Sequence, residues 1–240
     1  MNATPDPTRW LIVNADDFGA SQGTNEGIER AHRRGIVTSA SLMVNMAGTD
    51  DAVRRATSLG RLGLGLHVNL TNEWDDPVVD IDDLGACEVE MAAQLQRFCD
   101  LMGRLPDHID AQHNVNFLDH LRPAFEALAS GAGLPLRGSS PVPYFGGFYG
   151  RWDGASHPEQ ISVANLEMIL GTHLAGHDVV ELACHPGLRH ADLRSEYDRE
   201  REIELGTLTD PRAARLVDRA RFRLGTFAEV TAWLGGGSVP

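Results

Sequence analysis

Two adjacent carboxylates, Asp16 and Asp17, stand at the end of an apolar run, Trp10 to Val13, within RWLIVNADDFG. Like charges side by side repel, and burying either one unpaired costs several kcal/mol on the order usual for ions, so a cation or a proton belongs between them. A solvated Asp-Asp turn ahead of Gly19 is the plain alternative. His67, Arg137 and His185 each follow an apolar stretch in the same way, and the segment His108 to Val115, HIDAQHNV, carries more such groups. One His after a strand is usually structural. Imidazoles and paired carboxylates recurring at the ends of several apolar runs point instead to metal-assisted hydrolysis, in which a divalent ion acidifies water and polarises a carbonyl. Asp17 and His67 are the expected ligands. Asp16 is then the base that takes the proton of the attacking water, and His185 the acid that protonates a leaving amine.

These residues can meet only if the elements that carry them run parallel. Trp10 to Val13 reads as a strand buried on both faces. Ser21 or Thr24 caps a helix that Gly35 ends, Ser39 to Val44 is a second strand, and Asp50 or Asp51 caps a short helix. Leu62 to Leu66 leads into His67, Asn69 and Thr71. The acidic stretch Asn72 to Gly85 is long for a connection and suits a loop over a site. Met91, Leu95, Phe98 and Met102 fall at helical spacing before Gly103 and Pro106. His108 to Val115 is the expected fourth strand and Leu134 to Ser139 the fifth; Pro141 to Gly154 is an aromatic, Gly-rich and Pro-rich loop of the kind that makes contacts. Val163, Leu166, Leu170 and Leu174 mark a helix, and Val179 to Cys184 and Phe222 to Gly225 are the last two strands. Asp210 and Pro211 open a helix between them, and Thr226 with Glu229 forms a capping box for the final one. Seven strands alternating with helices imply an α/β fold, an incomplete (β/α) barrel of about seven parallel strands whose C-terminal strand ends build the site. The first βα turn, NADDFGAS, lacks Gly-x-Gly-x-x-Gly and gives no dinucleotide cradle.

A chain of 240 residues with 42% hydrophobic content holds one sizeable core, read here as a single domain over residues 1–240 with flexible tails at 1–8 and 235–240. Its formal charge of -13, with no basic run, opposes nucleic acid and anionic membrane surfaces as partners. No run reaches the roughly 20 apolar residues of a membrane span. Cys87, Cys99 and Cys184 form neither a CxxC nor an even framework, and Met1 to Thr8 has no apolar signal core behind it, which fits the cytoplasm. A homodimer is left open.

In register along nearly the whole chain, NADDFG with SQGTNEGI, TSASLMVN, GLHVNLT, HIDAQHNVN, FYG, LACHPG and SEYDREREIEL resemble the YdjC-like carbohydrate deacetylases, also called the ChbG/HpnK type. The resemblance implies a barrel akin to the polysaccharide deacetylases and metal-dependent removal of N-acetyl groups from small amino sugars such as diacetylchitobiose. It implies magnesium or a similar divalent ion, with zinc, manganese and cobalt as alternatives, held by Asp17, His67 and a third residue, with Asp16 as base and His185 as acid. Asn45, Asp110, Arg137, Phe148 and Tyr149 are the expected substrate contacts. Arg201 and Glu204 match further family positions and would brace the mouth, a surface pair being the alternative. One motif departs from the family pattern H-x-D-x-H-x-H-x-H: the third ligand position is Gln112, and Asn114 and Asn116 replace the later imidazoles. An amide oxygen suits a hard ion better than zinc. The alternative ligand is His113, which strand alternation turns away unless the strand is bulged. A barrel that binds sugar without hydrolysing it is the competing function.

Overall fold

The computed structural model describes residues 9–72, 77–191 and 195–236. The expected flexibility of residues 1–8 and 237–240 lies outside them, as does 73–76 of the acidic loop. In chain order the elements are β1 (Arg9–Phe18), α1 (Gln22–Arg34), β2 (Ser39–Leu42), α2 (Thr49–Ala56), β3 (Gly63–Val68), α3 (Leu84–Met102), β4 (Ile109–Ala111), α4 (Arg122–Ala132) and β5 (Tyr144–Phe145). The antiparallel hairpin β6 (Arg151–Trp152) and β7 (Ala155–Ser156) follows, then α5 (Val163–Met168), β8 (Val179–Cys184), α6 (Asp198–Leu208), α7 (Pro211–Arg219), β9 (Phe222–Leu224) and α8 (Phe227–Leu234).

The sheet is seven-stranded, with order β4-β3-β2-β1-β8-β5 and β9 paired to the start of β1. All these pairings are parallel. β1 is long enough to hold β8 on one side and, on the other, β9 against Arg9 to Leu11 and then β2 from Asn14 on. The count of seven agrees with the sequence, but the membership does not. Leu134 to Ser139 shrinks to one bridge, Leu136 to Ile109, because Gly138 turns left-handed at φ 80 and bends the chain away. Its place in the sheet passes to Tyr144 and Phe145 beside β8. The expected fourth strand also stops early, at Ala111. No helix among the described residues is long and apolar enough to cross a membrane.

Helix ends follow the expected chemistry in most places. Ser21 accepts from the Thr24 amide to cap α1, Asp210 caps α7 ahead of Pro211, and Thr226 and Glu229 form a reciprocal box on α8. At α2 the cap is Gly48, and Asp50 and Asp51 sit in the first turn, where they complement the helix dipole.

Period-two alternation sorts the strand side chains into two layers. Leu11, Val13 and Ala15, Ala40 and Leu42, Leu64, Leu66 and Val68, Ile109 and Ala111, and Val180, Leu182 and Cys184 join the large core under the helices. Each fully buried aliphatic side chain there contributes about 1.5–3 kcal/mol. The other parity faces the interior of the curved sheet. At its base Trp10, Ile12 and Val179 pack with Phe227 and Val230 of α8. Above them the interior turns polar: Asn14, Asp16, Ser41, His67, His108, Asp110 and Glu181 are all buried. Between the two zones the His108 ring stacks on Phe227 at 3.9 Å. Residue 65 is glycine because a Cβ there would fall inside that imidazole.

Candidate active site

The site is the polar interior where it opens beyond the C-terminal ends of β1, β3, β4 and β8. Strict alternation would send Asp16 and Asp17 to opposite faces. The β1–β2 register instead shifts between Ala15 and Phe18, and Asp17 adopts a left-handed backbone at φ 67. This bulge re-aims the strand end, so that both carboxylates line one cavity of about 670 Å³. A left-handed Asp costs roughly 1–2 kcal/mol, and strain of this kind collects at functional sites.

The two carboxylates then part in role. Asp16 receives both terminal guanidinium nitrogens of Arg137, each at 2.7 Å, and a bond from Asn14 at 2.9 Å. Asp17 receives Arg201 on Oδ2 at 2.6 Å, while its Oδ1 lies 3.3 Å from His67 Nε2. Burial alone would raise the Asp17 pKa, but Arg201 and His67 outweigh it and hold this carboxyl well below its ordinary range.

His67 is fixed from behind. Its Nδ1 meets Asp110 Oδ1 at 2.7 Å, and its Nε2 meets Gln112 Oε1 at 2.8 Å. Burial would lower its pKa, yet Asp110, Asp17 and Asp16 raise it well above the usual imidazole value. Gln112 is brought here by the early end of β4. The chain enters a tight turn over Gln112–Phe117, with left-handed φ of 53 at His113 and 54 at Asn114. His113 is therefore not turned to the outer layer as strand alternation required. It is exposed on the cavity rim, with Nδ1 2.9 Å from Thr71 Oγ1, and it is Gln112 that touches His67.

On the far wall, His185 follows β8. Its backbone N–H donates to Glu204 at 2.5 Å, its Nδ1 lies 3.7 Å from the other Glu204 oxygen, and its Nε2 lies 3.9 Å from Asp16. Burial lowers its pKa, but Glu204, Asp16 and Asp17 prevail and raise it. Tyr197 donates to Glu204 at 2.7 Å, and Tyr149 and Tyr197 present edges or faces to the His185 ring at 5.5 and 5.6 Å. Arg201 and Glu204 are thus buried braces on α6 rather than a surface pair.

The expected substrate contacts divide. Tyr149 lines the cavity. Arg137 has no exposed side-chain surface, and its guanidinium is shared among Asp16, Glu181 at 2.6 Å and Asp110 at 2.9 Å, so it holds these carboxylates rather than a ligand. Asp110 and Phe148 are also fully buried, the first under His67 and Arg137, the second in the helix-side core. Asn45 is exposed but exchanges its bonds with Asn69, away from the cavity lining. Glu181 was not anticipated. The signal for it is a lone carboxylate inside the apolar strand VVELAC, at the parity that leads to His185.

Among the described residues Asp16, His67 and Asp110 form a group that could hold a metal ion, with one ligand atom from each within 4.8 Å of the others. Both oxygens of Asp16 and of Asp110 already face Arg137, Asn14 or His67. Asp17 Oδ1, His67 Nε2 and Gln112 Oε1 meet at the cavity, with Nε2 3.3 Å from Asp17 and 2.8 Å from Gln112, so an ion replacing the proton shared between Nε2 and Gln112 would face all three atoms. Five buried carboxylates, Asp16, Asp17, Asp110, Glu181 and Glu204, face two guanidinium groups, Arg137 and Arg201, and raise the pKa of two imidazoles, His67 and His185, so the cluster favours positive charge, which a cation in place of the His67 proton would supply. Nδ1 is held by Asp110, the arrangement common to metal-binding His, and Nε2 would turn from Gln112 Oε1 to the ion.

The family description YdjC-like protein matches residues 10–219. The chain belongs to the YdjC-like family. A chitooligosaccharide deacetylase of Serratia marcescens is 32% identical over 92% of this chain and 99% of its own length. A carbohydrate deacetylase of Geobacillus stearothermophilus is 34% identical over 92% and 98%. Among solved structures, one titled a putative cellobiose-phosphate cleavage protein from Enterococcus faecalis V583 matches with a TM-score of 0.78 at 27% identity, covering 92% of this YdjC-like chain and 98% of the other. A family 4 carbohydrate esterase of Streptococcus mutans shares the fold, with a TM-score of 0.58 at 14% identity over 92% and 87%. The half-barrel of parallel strands is thus common to YdjC-like proteins and these esterases.

Proposed function

We propose that this YdjC-like protein is a hydrolase that removes the acetyl group from an N-acetylated amino sugar, a short chito-oligosaccharide or a close relative, using one divalent ion and water. The observation that carries the reading is the split of the Asp pair by the β1 bulge. One carboxylate is clamped by Arg137 and faces His185, and the other is aimed with His67 and Gln112 at a shared point. The names of the relatives at 32% and 34% identity support the substrate class.

An ion held by Asp17, His67 and Gln112 would supply a Lewis acid for the acetyl oxygen and for the attacking water. Two oxygen donors and one imidazole favour a hard ion, magnesium first, then manganese or cobalt, over zinc. Asp16 takes the proton of the water as its oxygen adds to the acetyl carbon. Arg137 pins that carboxylate through both nitrogens, so the base is oriented before substrate arrives. His185, whose pKa Glu204 raises against the effect of burial, gives its proton to the sugar nitrogen as the C–N bond breaks, and acetate and a free amine leave. Three free cysteines, Cys87, Cys99 and Cys184, fit a reducing cytoplasm.

The weaker third donor, Gln112, favours a second reading, a barrel that binds sugar without hydrolysing it. Acetate release from N-acetylglucosamine, its dimer and its trimer, each with Mg²⁺, Mn²⁺, Co²⁺ and Zn²⁺, separates the two. Release with at least one ion is expected, and none with any pair would give the chain to the second reading.

A further inference from the structure

Two large aromatic side chains are exposed in the cavity, Tyr149 at 38% and Trp152 at 43%. Tyr149 stands against His185, where the reacting sugar must lie. Trp152 is three residues further along, on the β6–β7 hairpin, and belongs to no step described above. The hairpin is built to hold it still. Asp153 and Gly154 are both left-handed, φ 51 and 72, the signature of a type I′ turn that matches strand twist. His157 covers the indole at 3.7 Å with the planes 3° apart, and Arg151 bonds Glu196 at 2.9 Å. At the hairpin's base His157 donates its backbone N–H to Gly150, and Gly150 donates to the Tyr197 hydroxyl, both at 2.7 Å. With Tyr149, Trp152 gives one cavity two exposed aromatic side chains, and a fixed mount lowers the ordering cost of a ligand that packs against it.

We propose that Trp152 is the platform for the sugar unit next to the one that loses its acetyl group, so that the hairpin sets a preference for oligomers over the monosaccharide. This rests on the sugar reading of the site. A pyranose ring presents a face of C–H groups bordered by hydroxyls. It matches an aromatic plane such as the part of the Trp152 indole that His157 leaves exposed, in a cavity that the polar residues Arg151, Asn114 and Glu196 also line. The cavity of about 670 Å³ lies mid-range for a small-molecule site and extends past the Tyr149 and His185 corner to the hairpin.

The test compares kcat/KM for one, two and three N-acetylglucosamine units in the native protein, Trp152→Ala and Trp152→Phe, beside direct calorimetric binding of the trimer to Asp16→Asn with and without Trp152→Ala. The expected result is an oligomer preference that falls about tenfold in Trp152→Ala, mostly through KM, and returns in Trp152→Phe, with a matching loss of trimer binding. Acetate release with the same kcat/KM for all lengths, unmoved by Trp152→Ala, would overturn the platform and leave the deacetylase reading standing. Trimer binding that depends on Trp152 in a protein releasing no acetate would keep the platform and remove the deacetylase. Neither binding nor release would remove both.

Discussion

Asp16→Asn is expected to lower acetate release by about 10²- to 10⁴-fold while leaving ion affinity unchanged, because it deletes the proposed base without touching the three proposed ion donors. The variant should fold. An amide of the same shape loses one of the two bonds from Arg137 but still accepts the other through its oxygen, and Arg137 keeps Asp110 and Glu181 as counter-charges. Asp17→Ala behaves differently, lowering ion affinity and activity together, since Asp17 Oδ1 is the charged donor beside His67. Isothermal titration of Mg²⁺ or Mn²⁺ into each variant, with acetate assays on the same preparations, distinguishes the two. Ion affinity lost in Asp16→Asn and kept in Asp17→Ala would mean the roles of the neighbours are reversed.

The largest effect on stability is expected at Arg137, whose side chain is among the largest of those fully buried. Arg137→Met removes the guanidinium shared by Asp16, Asp110 and Glu181 and leaves three buried carboxylates facing one another. Breaking a buried pair costs about 3–5 kcal/mol, which for a chain this size lowers Tm by roughly 6–20 °C. Glu181 shows how close to its limit the cluster already is. Burial raises its pKa despite Arg137, and its Oε2 has no hydrogen-bond partner among the described residues. Arg137→Lys should recover little, because a point charge cannot bond three carboxylates from a planar fork. Thermal unfolding within 2 °C of the native protein would show that the carboxylates protonate and repack at little cost.

Much of this architecture was legible because strand chemistry is local. Trp10 to Val13, Val179 to Cys184 and the caps at Ser21, Asp210 and Thr226 announce themselves by residue type, and the polar groups that follow each strand mark the mouth. What escaped was set by a few backbone dihedrals. Nothing in the residue types alone says that Asp17 turns left-handed and brings its neighbour's face with it. The same is true where His113 and Asn114 end β4 in a turn, although an Asn after the strand is a residue that tolerates that conformation. Arg137 looked like a substrate contact because it ends an apolar run, and only the buried Glu181 opposite shows why it turns inward. The polar parity of Asn14, Ser41, His67, Asp110 and Glu181 was present in the strands. It becomes a lined cavity once parallel pairing superimposes them.

If one ion at Asp17, His67 and Gln112 drives acetyl hydrolysis, chelation must abolish it. Acetate release from diacetylchitobiose is measured on protein as purified, after removal of divalent ions with EDTA, and after adding back Mg²⁺ or Mn²⁺. Release should disappear on chelation and return with the added ion. Release that continues unchanged after chelation would show that hydrolysis needs no ion at this site.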